Sequence, residues 1–208
     1  MLNSAIAKAE RRTLVFGVGI MDAESSRCNG KIIHSYSVWI GMLGRCYRKG
    51  KYEREAYSGC TVCDEWLTFS EFNKFYEKYH VEGYELDKDL LVPGNKVYMP
   101  SRCVFIPRSL NGFITLRPTQ KGKYPTGVCA RKNSIKFQAA IREDNKNRHL
   151  GLFDDPYDAH LAWYYAKMEA AEKYKDICDK IHPDLYRGLI KKIESLKEEN
   201  NIISSSRC

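Results

Sequence analysis

The segment DPYDAHLAWYYAKMEAAEKYK, residues 155–175, limits the fold most. At helical spacing it places Ala159, Ala162, Trp163, Ala166 and Ala170 on one side. Such small residues let a helix lie close against a sheet. The residues just before it supply one: TGVCARKN, IKFQAAIRED and NRHLGLF read as three short strands separated by Asn/Asp-rich turns. These strands carry Arg131, Lys132, Lys136, Arg142, Lys146 and Arg148, with Glu143 and Asp144 as the only acids among them. A sheet covered by a helix on one face and basic on the other suits a DNA major groove, which admits strands as well as helices.

Net charge points the same way. The 208 residues hold 34 Lys and Arg against 26 Asp and Glu, a formal charge of +8. That excess favours a polyanionic partner, nucleic acid first and an anionic membrane surface second. No apolar run approaches the roughly 20 residues needed to cross a bilayer. The N-terminal charges sit between two short apolar patches, the wrong order for a signal peptide. A cytoplasmic protein is therefore expected. Its eight cysteines read as thiols or metal ligands before disulfides.

Five zones follow from the pattern. Residues 1–35 hold an apolar run, LVFGVGI, read as a buried strand with a polar loop after it. In 36–112, VWIGMLGRCY sets Trp39, Met42, Leu43 and Cys46 at helical spacing, and SEFNKFYEKY does the same with Phe72, Phe75, Tyr76 and Tyr79. Ser70 and Glu71 suit the start of that second helix. Trp39, Trp66, Phe69, Phe72 and Phe105 are expected in the core. Residues 113–123, rich in Lys, Gly and Pro, read as a linker. The sheet-and-helix module fills 124–175, with His160 half exposed on its helix. In 176–208, Leu185, Leu189, Ile193 and Leu196 line one helical face, suited to packing or to a dimer contact. The expected fold class is α+β.

The strings GVCARKNSIKFQAAIRED, HLGLF and DDPYDAHLAWYYA resemble the ethylene-response-factor-type domain of plants, found also in mobile-element and phage proteins. Gly127, Val128, Lys136, Phe137, Ile141, Arg142, Leu150, Gly151, Phe153, Ala159 and Ala162 match its pattern. The resemblance implies that the sheet lies in the major groove, with groove contacts from Arg131, Lys136, Arg142 and Arg148. Cys129 stands where that family usually has an arginine, and His149 near a usual tryptophan.

Upstream, LDKDLLVPGNKVYMPSRCVFIPRSLN, residues 86–111, resembles a phage branch of the His-Asn-His nucleases, and WIGMLGRCY, YSGCTVCDEWLTFSEF and GYELDKD fit the same branch. Members of this branch are often fused to an ethylene-response-factor-type domain, as in some homing endonucleases. The resemblance implies a ββα module in which Asp87 and Asn111 hold a divalent ion while Asn95 braces the loop. A carboxylate and an amide oxygen are hard ligands, suited to Mg²⁺ or Mn²⁺. Lys88 stands where active members carry the histidine base. A lysine is ordinarily protonated at neutral pH and takes no proton from water. It can instead hold a phosphate, or serve as base where burial favours its neutral form. His80 lies just upstream as another imidazole. On the residues alone, Asp87 and Asp89 read equally as turn-flanking surface carboxylates.

Cys60 and Cys63 form a CxxC, and Cys46 and Cys103 flank it within the same module. Four thiolates suit a tetrahedral structural Zn²⁺. The alternative makes Cys46 and Cys103 small hydrophobes on a helix face and a buried strand. Cys28, Cys129, Cys178 and Cys208 are read as unpaired. The expected function is DNA binding with metal-dependent endonuclease activity. Two rivals stand beside it: a catalytically inactive DNA-binding regulator on the same frame, and a protein-interaction or anti-defence factor.

Overall fold

Aromatic side chains organise the first of two units into which the chain divides, the first ending at Phe105 and the second starting at Ile106. The computed structural model describes residues 14–52, 55–115, 124–131, 134–143 and 146–205. Lys132, Asp144, Cys208 and residues 116–123 of the expected linker lie outside them. The fold class is α+β.

In the first unit, strands β1 (Arg27–Cys28) and β2 (Lys31–Ile32) form a hairpin turned by Asn29 and Gly30, both at positive φ. Asn-Gly is the pair that accepts this geometry most readily. Helix α1 (His34–Tyr47) buries Trp39, Met42 and Leu43. They meet Trp66 of the one-turn helix α2 (Asp64–Leu67) and Phe69 and Phe72 of α3 (Phe69–Tyr79). The Trp39 indole N–H donates to the Trp66 carbonyl at 2.7 Å, so a buried polar atom of the core is satisfied within it. Phe105 is also buried, as expected.

Two local expectations are corrected here. LVFGVGI is not a strand. Phe16 and Gly17 adopt positive φ, which curls the segment until Val15 and Gly19 bridge each other. Gly19 lies so near α1 that a Cβ there would come within 2.5 Å of Leu43. The second helix starts at Phe69, one residue early, and its capping group comes from far upstream: the Asp22 carboxylate accepts from the Ser70 N–H at 2.9 Å.

Short strands complete this unit. Strand β3 (Thr61–Val62) runs parallel to β5 (Val97–Tyr98), and β4 (Tyr84–Asp87) is hydrogen-bonded to β6 (Val104–Pro107), the strand in which the two units meet in sequence. Helix α4 (Arg108–Ile114) follows β6 directly.

The second unit has a three-stranded antiparallel sheet, β7 (Val128–Ala130), β8 (Phe137–Glu143) and β9 (Lys146–Phe153), covered by α5 (Pro156–Ala171). Asp155 starts α5, its carboxylate accepting from the N–H groups of Tyr157 and Asp158. Ala139 and Ile141 of β8 are buried beneath Ala159, Trp163 and Ala166. His160 is fully buried rather than half exposed, and its Nδ1 meets the Thr126 carbonyl at 2.8 Å. Burial pushes its pKa down. Helix α6 (Lys175–Ile181) leads to α7 (Leu185–Ser205), which lays buried Leu185, Leu189 and Ile193 against its own unit. Lys167, nearly buried, donates to the Phe113 carbonyl, an acceptor that the last turn of α4 leaves open. Burial lowers its pKa to about 8.

Gly127, at φ +83°, is the tightest point of the second unit, because a Cβ there would overlap the Trp163 indole. Gly127→Ala therefore combines backbone strain with a core clash and is expected to cost about 3 kcal/mol or more. Urea denaturation followed by circular dichroism measures this; a cost below about 1 kcal/mol would show that helix and sheet do not need this close approach.

Candidate functional site

The opening turn of the 87–97 loop answers why two aspartates flank a lysine. Asp87 ends β4, and its Oδ1 accepts from the N–H groups of Asp89 (3.0 Å) and Leu90 (2.7 Å). The Lys88 ammonium lies 3.1 Å from the Asp89 carboxylate, while the Asp87 carboxylate is engaged by backbone N–H groups. The same ammonium donates to the Asn95 carbonyl at 3.1 Å. Asn95 returns the contact: its Nδ2 donates to the Lys88 carbonyl (2.6 Å) and the Val97 carbonyl (2.8 Å). Its Oδ1 accepts from the Val97 N–H and from Arg102, both at 3.2 Å. Asn95 is 6% exposed and ties the two ends of the loop together by hydrogen bonds.

Lys88 thus belongs to the loop. Its side chain is 11% exposed and hydrogen-bonded at both ends of the turn. Arg102, which sequence reasoning passed over, completes the Asn95 shell; only its proximity in the fold marks it. Asp87 falls in the first unit and Asn111 in the second. The Asn111 backbone carbonyl accepts from Thr115 at the end of α4.

The cysteines of the first unit are free thiols. Cys60 and Cys103 are buried, and Cys46 and Cys63 partly so. Burial pushes Cys46 up to about 11 and Cys103 up to about 12, and raises Cys63 as well. Neutral thiols of this kind pack as small hydrophobes. Among the described residues, no group of three or more His, Cys, Asp or Glu side chains is placed to hold a metal ion.

The basic sheet is sorted by strand register. Ala139 and Ile141 point to α5, so their neighbours Gln138 and Arg142 point away from it. A bulge in β9 between Gly151 and His149 shifts the pairing, giving His149 opposite Ala140, Arg148 opposite Ile141 and Asn147 opposite Arg142. Asn147 and His149 therefore share the open face with Arg142, whereas Arg148 turns to the helix side. There its guanidinium meets Glu143 at 2.9 Å and Glu169 of α5 at 3.5 Å. Arg131 follows β7 on the open side, exposed. Lys136 pairs with Asp154 at 3.0 Å, an exposed contact that water screens. Lys146 is exposed at the hairpin end, opposite Glu143. The open face thus gathers Arg131, Lys136 and Arg142 and adds Gln138, Asn147 and His149, which the sequence reading left out. Strand alternation alone would have found Gln138.

Comparison with known proteins returns no match, whether to a family model, a curated protein or a solved structure. Among the described residues, no helix is long and apolar enough to cross a membrane.

The loop gives a direct test. Asn95→Ala strands the Lys88 and Val97 carbonyls and opens a buried polar site, for an expected loss of about 2–4 kcal/mol. Hydrogen exchange should accelerate across residues 87–97 before the rest of the unit. Unchanged exchange there would mean that the loop does not depend on Asn95.

Proposed function

We propose that the protein binds double-stranded DNA through the open face of β7–β9. The observation that carries this reading is the register: Arg131, Lys136 and Arg142 lie on the one sheet face that α5 leaves uncovered. Around them stand amide and imidazole groups of Gln138, Asn147 and His149, which can donate and accept at base edges. Phosphate contacts by the cations would supply affinity, and the polar groups would discriminate. The formal charge of +8 favours the encounter.

For the first unit, the binding-only frame is the favoured reading and an Mg²⁺- or Mn²⁺-dependent endonuclease the second. Lys88, at the position of the expected base, is hydrogen-bonded into the loop that it closes. Cleavage would need Asp87 and Asn111 as ion ligands and a base from elsewhere.

Fluorescence anisotropy with labelled duplex tests the interface. Arg142→Ala should weaken binding about tenfold or more and flatten the salt dependence by roughly one ion. Arg148→Ala, which removes a helix-side ion pair, should leave affinity within about threefold. Equal effects of the two substitutions would defeat the assignment of faces. On supercoiled plasmid with Mg²⁺ or Mn²⁺, retardation without nicking is expected. Nicking that Asp87→Ala abolishes would restore the nuclease reading.

A further inference from the structure

The first unit contains a second polar constellation, built on the ends of two helices. His34 opens α1 and His80 follows the last residue of α3. Their ring centroids lie 5.2 Å apart. Tyr76 ties them together: its hydroxyl is 2.7 Å from His34 Nδ1, and its ring stacks on His80 with centroids 4.3 Å apart and planes at 14°. The edge of Phe105 closes on the His80 ring. His80 Nε2 is buried and has no hydrogen-bond partner among the described residues. A buried nitrogen with no partner costs stability and calls for an explanation.

From this geometry we infer that His34 and His80 form a two-imidazole site for a borderline divalent cation, Zn²⁺ first. Imidazole nitrogen is the ligand such ions favour. A Zn–N bond is about 2.0–2.1 Å, and an imidazole centroid lies about 1.1 Å behind its nitrogen. Two imidazoles at the tetrahedral angle then have centroids about 5.2 Å apart, which is the observed separation. The assignment of nitrogens is consistent. Tyr76 engages His34 at Nδ1, leaving Nε2 to ligate, and the atom of His80 without a partner is also Nε2. Tyr76 acts as a positioning residue, fixing one ring by a hydrogen bond and the other by stacking, as outer-shell groups do at metal centres. His34 is exposed, which gives the ion access and leaves its remaining positions to water. This site is separate from the Asp87 loop and from the cysteines, and it stands whether or not the sheet binds DNA.

Long-range ¹H–¹⁵N spectra of the whole protein read each imidazole separately, so zinc taken up by thiols elsewhere does not obscure the result. Adding Zn²⁺ should move His34 and His80 together, with one midpoint, while Mg²⁺ at the same concentration moves neither. His34→Ala, an exposed substitution that leaves the core intact, should weaken the His80 response at least about tenfold, and Tyr76→Phe by a similar factor. Different midpoints for the two rings would overturn the inference. So would a His80 response unchanged in His34→Ala, or no response of either ring to excess Zn²⁺.

Discussion

Close approach of α5 to the three-stranded sheet is the contact on which the second unit depends. Backbone at Gly127 lies directly under the Trp163 indole, and Ala139, Ala159 and Ala166 are buried between the layers. Packing this dense admits no polar side chain that lacks a partner. His160 is tolerated there because the Thr126 carbonyl meets its ring, and Lys167 because the end of α4 offers a carbonyl. Of the strand cations, Arg148 stays on the helix side paired with Glu143 and Glu169, while Arg131, Lys136 and Arg142 lie on the far face. The charge pattern of the open face is thus a consequence of what the covered face excludes.

How much of this the sequence discloses depends on the range of the interaction. Helices α1, α3, α5 and α7 announce themselves because Trp39, Phe72, Trp163 and Leu189 recur with neighbours at a spacing that only a helix turns to one side. The three basic strands are legible from their turns. What fails is whatever depends on a partner distant in the chain or on one irregular residue. LVFGVGI has the composition of a strand, but Phe16 and Gly17 fold it back under α1. The cap of α3 is Asp22, 48 residues before the amide it accepts from. One bulged residue in β9 exchanges the faces of Arg148 and His149, because side chains alternate with a period of two. The role of Asn95 in the loop is an implication of the resemblance, and Arg102, only seven residues away, is not marked by the sequence. Nor is the His34–Tyr76–His80 cluster, since it joins the start of one helix to the end of another.

In the first unit, polar groups do work that apolar packing cannot. The turn at 87–97 passes through partly buried surroundings, where backbone carbonyls without partners would be costly. Asn95 satisfies two of them and is itself held by Arg102, while Lys88 and Asp89 neutralise each other at the rim. Such a closed network specifies one loop conformation. It also commits the residue that would otherwise be the chemical centre of the turn. A lysine drawn into holding the loop is a poor candidate to move a proton during a reaction, because each step would disturb the structure that positions it.

Glu143 gathers cations on the helix side of the sheet. On the helix side it accepts Arg148 at 2.9 Å and faces Lys173 at 3.6 Å, and Arg148 reaches on to Glu169. Arg148 and Lys173 on that side are therefore matched by carboxylates within the unit. On the open side Asp154 meets Lys136, while no carboxylate among the described residues pairs with Arg131 or Arg142. Positive charge left unmatched on one face produces a directional field, whereas the same residues spread evenly would give only a diffuse attraction. A polyanion approaching from the open side meets uncompensated guanidinium groups, and from the helix side it meets carboxylates as well. The internal ion pairs thus select which surface of the sheet presents its charge.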